Sequence, residues 1–132
     1  MAKKILLIED EPMHIEIYED ALKKAGFEVE TIDLGYKAIE RIKEMKGKKA
    51  KKPDLVLVDL VLPDISGLEV LEEMRKYEET KDIPYFILTN YTDREIKEYG
   101  LKELAAEKYI VKIENTPSQI VEIIKKRLKI NF

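Results

Sequence analysis

No cysteine occurs anywhere in the 132 residues, which removes disulfides, thiolate nucleophiles and cysteine-based zinc sites from consideration at once. Histidine is nearly as scarce. His14 is the only one, and a lone imidazole without a partner His or Cys is a poor start for a metal site. Long hydrophobic runs are missing too. Ile5–Ile8 runs straight into Glu9, Asp10 and Glu11, too short for a secretory core or for the roughly twenty apolar residues that span a bilayer. Neither sign of charge dominates: the net value of −3 favours neither direct nucleic-acid binding nor membrane attachment. What remains is a protein expected in the cytoplasm, with one hydrophobic core and a single domain over residues 1–132.

Within that frame, short apolar runs alternate five times with amphipathic stretches. The runs are Ile5–Ile8, Phe27–Ile32, Leu55–Val58, Tyr85–Leu88 and Tyr109–Val111. ILLI, LVLV and YFIL are continuous, as in strands covered on both faces. In the second run Phe27 and Val29 alternate with Glu28 and Glu30, which predicts an edge strand. Helix punctuation fills the gaps. Pro12 opens the first helix and Gly26 closes it, with Tyr18, Ala21, Leu22 and Ala25 facing inward. Ala38, Ile39 and Ile42 form the inner face of the second helix. Ser66 with Glu69, and Thr116 with Gln119, have capping-box spacing and start the third and fifth helices. Ile120, Val121, Ile124 and Leu128 make the inner stripe of the fifth. The fourth helix, roughly Asp93 to Leu104, has few apolar positions and an interior Gly100. Lys43–Lys52 reads as a solvated loop. The alternation predicts an α/β fold: a five-stranded parallel sheet, doubly wound as (βα)5 with helices on both faces.

In such sheets ligands sit beyond the carboxyl ends of the strands. Those ends carry Glu9 and Asp10, Asp59, Thr89 and Asn90, and Lys112. Three carboxylates crowded together raise a pKa or recruit a cation, and hard oxygen ligands favour Mg²⁺. With a lysine and a hydroxyl added, the set suits a phosphoryl group: Asp59 attacks, Lys112 and a metal neutralise its oxygens, and Thr89 bonds one of them.

The segments KILLIEDEP, PDLVLVDLVLPDISGLEVL, DIPYFILTN and EKYIVK closely resemble the receiver domain of bacterial and archaeal response regulators, in matching order across the whole chain. The resemblance implies a flavodoxin-like strand order 2-1-3-4-5. It implies that Asp59 is phosphorylated by a sensor histidine kinase or phosphotransfer protein, in a two-component pathway. Glu9 and Asp10 match the acidic pair that holds Mg²⁺, and Val61 the residue that lends it a carbonyl. Thr89 matches the switch hydroxyl, Lys112 the phosphate-pairing lysine, Tyr109 the switch aromatic, and Pro63 and Gly67 the turn after the acceptor. Phosphate is expected to recruit Thr89, vacate space for Tyr109, and signal to a downstream protein through the fourth helix, fifth strand and fifth helix. Val61 and Tyr91 are expected to flank the path of hydrolytic water and prolong the phosphorylated state. His14 is expected to be a surface residue near the kinase-docking side, neither phosphorylated nor a ligand.

Two positions depart from the family pattern: Ile113 stands where a proline usually follows the lysine, and Asn90 where Ala or Gly is common. A non-proline cis bond costs about 2.5–4 kcal/mol, so Lys112–Ile113 is expected to be trans. Two other functions fit less well. A phosphatase of the haloacid-dehalogenase type needs a second Asp two residues on, where Val61 stands, and a pseudo-receiver scaffold would have lost the acidic pair, acceptor or lysine. The chain is therefore expected to be no enzyme beyond its own phosphorylation and dephosphorylation. Without a linker or helix-turn-helix pattern after the fifth helix, it is expected to be a stand-alone receiver, although a piece of a longer regulator would read the same.

Overall fold

The computed structural model describes residues 2–47 and 51–130. Its elements run β1 Lys4–Ile8, α1 Pro12–Lys24, β2 Glu28–Ile32, α2 Gly35–Lys46, β3 Leu55–Val58 and α3 Gly67–Arg75. Then come β4 Tyr85–Thr89, α4 Arg94–Glu98 continued by a π turn Tyr99–Glu103, β5 Lys108–Val111, a short 3-10 turn Lys112–Glu114, and α5 Pro117–Leu128. The strands form one parallel sheet in the order β2-β1-β3-β4-β5, with β2 at an edge as its alternating pattern predicts. This is the flavodoxin-like α/β fold.

Side-chain alternation along the central strands splits the core into two layers. Leu6 and Ile8, Val56 and Val58, and Tyr85 and Ile87 point to one face, where Ala38, Ile42 and Met45 of α2 and Val70, Leu71 and Met74 of α3 cover them. Ile5 and Leu7, Leu55 and Leu57, and Phe86 and Leu88 point to the other, against Tyr18 and Leu22 of α1 and Ile120, Val121 and Ile124 of α5. Each large aliphatic side chain so buried contributes about 1.5–3 kcal/mol. Such a core holds the strand ends rigidly, and the site is built on them.

Local signals explain most boundaries. Gly26 adopts φ 96°, the left-handed cap that ends α1, and the Phe27 N–H turns back to the Leu22 carbonyl at 3.1 Å. That bond takes Phe27 out of the strand it was expected to begin. Both capping boxes, Ser66 with Glu69 and Thr116 with Gln119, are formed. The Lys52 side of the expected basic loop is exposed, Lys43–Lys46 instead end α2, and residues 48–50 lie outside the described residues, as do 131 and 132.

The fourth helix differs from the expected Asp93–Leu104 α-helix. Only Arg94–Glu98 is α-helical; beyond it the Leu104 N–H reaches the Tyr99 carbonyl at 3.1 Å, a five-residue span. Gly100 lies inside this wider turn. It lies so close to β4 that a Cβ would sit 2.7 Å from Ile87 Cδ1, and Ala105 ends the segment with φ 58°. Among the described residues no helix is long and apolar enough to cross a membrane.

Candidate functional site

Parallel pairing sets the site directly. The Glu9 N–H donates to the Ile32 carbonyl and the Asp59 N–H to the Ile8 carbonyl, each at 3.0 Å, so both acids stand at the point where pairing stops. Thr89 ends β4, and Lys112 follows β5. Their side chains meet in a cleft of about 500 Å³, whose walls also include Asp10, Glu11, His14, Val61, Asn90 and Tyr91.

At the centre, Asp59 is only 7% exposed and every partner converges on its carboxylate. Lys112 Nζ donates to Oδ2 at 2.6 Å, the Thr89 hydroxyl to Oδ1 at 2.6 Å, and the Val61 N–H to Oδ1 at 3.0 Å. Lys112 also donates to Glu9 Oε1, while the Asp10 and Glu11 N–H groups donate to Glu9 Oε2 at 3.1 Å each. Burial acts to lower the Lys112 pKa, but the hydrogen bonds to Asp59 and Glu9 outweigh it and hold the ammonium above its ordinary value. Burial pushes the Glu9 carboxyl up, with Lys112 and the Glu11 N–H pulling against it. Burying an ion pair rarely stabilises a fold relative to an apolar substitute. A buried ammonium clamped between two carboxylates therefore points to chemistry.

The carboxylates offer hard oxygens suited to a divalent ion. The Lys112 ammonium already stands between Glu9 and Asp59 as a cation would. Both Glu9 oxygens are engaged by Lys112 and backbone, which leaves Asp10 as the one acid of the cleft without a salt-bridge partner among the described residues. No group of three His, Asp or Glu ligands stands ready around a common point among the described residues. Asp10 and Asp59 nevertheless line the same cleft, and two carboxylates suit an ion such as Mg²⁺, which keeps several waters and takes one or two carboxylates directly. The set does not form a closed cage.

From the acceptor a chain of hydrogen bonds leads outward. The Thr89 hydroxyl that donates to Asp59 accepts the Tyr91 N–H at 3.2 Å, and the Tyr91 carbonyl accepts the hydroxyl of half-buried Tyr109. The Thr89 hydroxyl thus faces Asp59 already, before any phosphoryl group could draw it in.

Three further relationships escaped the sequence reading. His14 is partly exposed at the surface, its side chain 35% accessible, but it also lines the cleft and places Nδ1 2.9 Å from Lys112 Nζ. Its place one turn into the helix that follows Glu9 and Asp10 was the available signal. Asn90 and Ile113, the two departures from the family pattern, are partners. The Ile113 N–H donates to Asn90 Oδ1 at 2.9 Å, a bond that proline lacks the donor to make. The Lys112–Ile113 bond is trans, as the penalty for a non-proline cis bond predicts. Finally, Asp64 in the loop after β3 accepts the Gly35 and Tyr36 N–H groups at 2.8 Å each, capping α2 from a distance.

Known proteins share this architecture. The polar-differentiation response regulator DivK of Brucella ovis is 29% identical over 128 residues, 97% of this chain and 98% of its own. Among solved structures, the phosphorylated cyanobacterial phytochrome response regulator RcpA is 32% identical, with TM-score 0.79 over 98% of this chain and 93% of that one. A CheY-like receiver protein from Methanospirillum hungatei is 26% identical, with TM-score 0.84 over 98% and 95%. The family model of the response regulator receiver domain matches residues 5–125, nearly the whole of the sheet and helices that carry the cleft, and the chain belongs to that family of two-component signalling domains.

Proposed function

We propose that the chain is a phosphorylation-operated switch, one receiver unit in which Asp59 accepts a phosphoryl group from a histidine kinase or phosphotransfer protein. What carries this is the convergence of Lys112 and Thr89 on the two oxygens of Asp59. A carboxylate oxygen of Asp59 attacks phosphorus as the bond to the donor nitrogen or oxygen breaks. The Lys112 ammonium neutralises phosphoryl oxygens, and the Thr89 hydroxyl and Val61 N–H donate to the oxygens that gain charge. Bound Mg²⁺ would neutralise further oxygens, held by Asp10, Asp59 and the Val61 carbonyl, with Glu9 acting through water and through Lys112. The phosphorylated form of the 32%-identical RcpA supports the assignment.

The output is proposed to leave through the α4–β5–α5 face. Tyr109 stands on β5 at the outer end of the hydrogen-bond chain from Asp59, and only a short α-helical stretch precedes the π turn. Because Thr89 already faces Asp59, phosphorylation would exchange its partner rather than swing it inward. The change would pass through the Tyr91 peptide to Tyr109.

Acetyl phosphate with Mg²⁺, followed by intact-mass analysis, tests the acceptor. One added phosphoryl group is expected on the native protein and none on Asp59→Asn. Equal modification of the two would overturn the assignment.

A further inference from the structure

We propose that His14 is a positioning residue for this phosphoryl transfer, its Nδ1 holding the third proton of the Lys112 ammonium so that the charge stays fixed over Asp59. The functional consequence rests on the reading of Asp59 as acceptor; the positioning itself does not.

An ammonium has three N–H donors and no lone pair. Lys112 directs them at three acceptors on three separate elements: Glu9 Oε1 after β1, Asp59 Oδ2 at 2.6 Å after β3, and His14 Nδ1 at 2.9 Å on α1. Since the lysine can only donate, His14 Nδ1 must accept, which places the ring proton on Nε2. That nitrogen faces Glu11 Oε2 at 3.6 Å. Glu11 is itself fixed as the cap of α1, accepting the His14 N–H at 2.9 Å, and the His14 ring lies edge-on to Tyr18 with centroids 6.3 Å apart. Ring orientation and tautomer are therefore both set by neighbours.

Such an anchor matters because a lysine stem is long and rich in rotamers. When an Asp59 oxygen bonds to phosphorus the carboxylate becomes an acyl phosphate, and one of the three acceptors loses most of its charge. Glu9 and His14 are untouched by that change, and together they keep the ammonium where the phosphoryl oxygens arrive. With His14 truncated, one donor is left without a partner in a site whose lysine side chain is only 5% exposed. The ammonium then rotates or shifts toward water.

Three variants separate the acceptor atom from mere packing. His14→Ala removes the acceptor. His14→Asn puts an amide oxygen near the place of Nδ1, and His14→Gln reaches instead toward the place of Nε2. On the full chain without phosphodonor, nitrogen-15 NMR of the lysine ammonium groups is expected to show a slowly exchanging Lys112 signal in the native protein and in His14→Asn. The signal is lost by exchange in His14→Ala and His14→Gln. With acetyl phosphate, His14→Ala and His14→Gln lower the maximal rate of Asp59 phosphorylation about tenfold at unchanged half-saturation, and His14→Asn stays within about twofold. Native exchange and native rate in His14→Ala would overturn the proposal, and so would a His14→Asn as impaired as His14→Ala. If the native protein accepts no phosphoryl group, the acceptor assignment fails, while the NMR comparison still decides whether His14 anchors Lys112.

Discussion

A Cβ on Gly67 would lie 2.2 Å from the carbonyl oxygen of Asp59 and 2.8 Å from the Cα of Leu60, so the first residue of α3 is pressed against the backbone of the acceptor itself. The Gly67 N–H also donates to the Leu60 carbonyl at 2.9 Å, fixing the turn that brings the chain back. The obstructing atoms are backbone, with no flexible side chain to yield.

Gly67→Ala is therefore expected to lower stability by about 1–3 kcal/mol, the usual cost of overpacking, and to slow phosphorylation of Asp59 by shifting it from Lys112 and Thr89. Gly47→Ala is the control. Among the described residues its Cβ would meet nothing closer than the Glu44 carbonyl at 3.6 Å, so stability should stay within about 0.5 kcal/mol. Urea unfolding of the two variants beside the native protein measures the difference.

The same loop reaches the sheet's other half through Asp64. Leu34, the residue before α2, offers no capping side chain, and Asp64 supplies both acceptor oxygens from the loop after β3. The Tyr36 N–H, with that of Gly35, holds the Asp64 carboxyl below its ordinary value. A depressed folded pKa means stability that is present above the unfolded value, about 3.9, and lost as pH falls through the folded one. Asp64→Asn should thus lower the unfolding temperature clearly at neutral pH, with the gap to the native protein closing in acid. Thermal unfolding followed by circular dichroism at both pH values reads this out; a gap that widens in acid would contradict it.

What the sequence made legible, and what it did not, divides along chain separation. Strands β1, β3, β4 and β5, the helix caps at Ser66 and Thr116, and the inner stripes of α1, α2 and α5 all follow from local periodicity and punctuation. The meeting of Glu9, Asp59, Thr89 and Lys112 follows from the parallel order, because each ends a strand. The pairs that escaped are His14 with Lys112, Asn90 with Ile113, and Asp64 with Gly35. Each joins loop or helix-end residues far apart in the chain, where no period constrains them. The π turn escaped for another reason: Gly100 reads only as a weak helix position, and its close approach to Ile87 is a tertiary contact that the local sequence does not carry.

Tyr109 joins the site to the outer face, and its ionisation is a handle on that link. Burial, with Asp59 nearby, pushes its hydroxyl pKa up to about 12. A raised folded pKa means that its contribution is complete below the unfolded value, about 10, and lost as pH rises through the folded one. Tyr109→Phe should therefore remove absorbance change at the alkaline end of a tyrosinate titration. It should also cost about 0.5–1.5 kcal/mol near neutrality, the worth of an ordinary hydrogen bond. If Tyr109 relays the signal, adding beryllofluoride to the native protein should alter amide exchange across residues 90 to 112, and Tyr109→Phe should blunt that response beyond Tyr91. An identical response in the variant would break the proposed path.

A phosphoryl group on Asp59 should be long-lived. Hydrolysis needs a water in line with the aspartyl phosphate and a group to orient it. The cleft mouth carries Val61 and Tyr91, 58% and 46% exposed, whose side chains offer mainly apolar surface there. Water can reach them, so exclusion alone is a weak shield; the stronger effect is that neither carries an amide or carboxylate to hold a water in line. Val61→Asn combined with Tyr91→Glu should therefore speed dephosphorylation by about tenfold or more, within the range a positioned polar group supplies. Val61→Ala with Tyr91→Ala opens the mouth without adding an orienting group and should speed it much less. Removing the phosphodonor and following the decay of the phosphorylated mass gives both rates. Equal rates in the two double variants would mean that bulk alone controls access, and no change in either would place control of hydrolysis deeper, at Lys112 and Thr89.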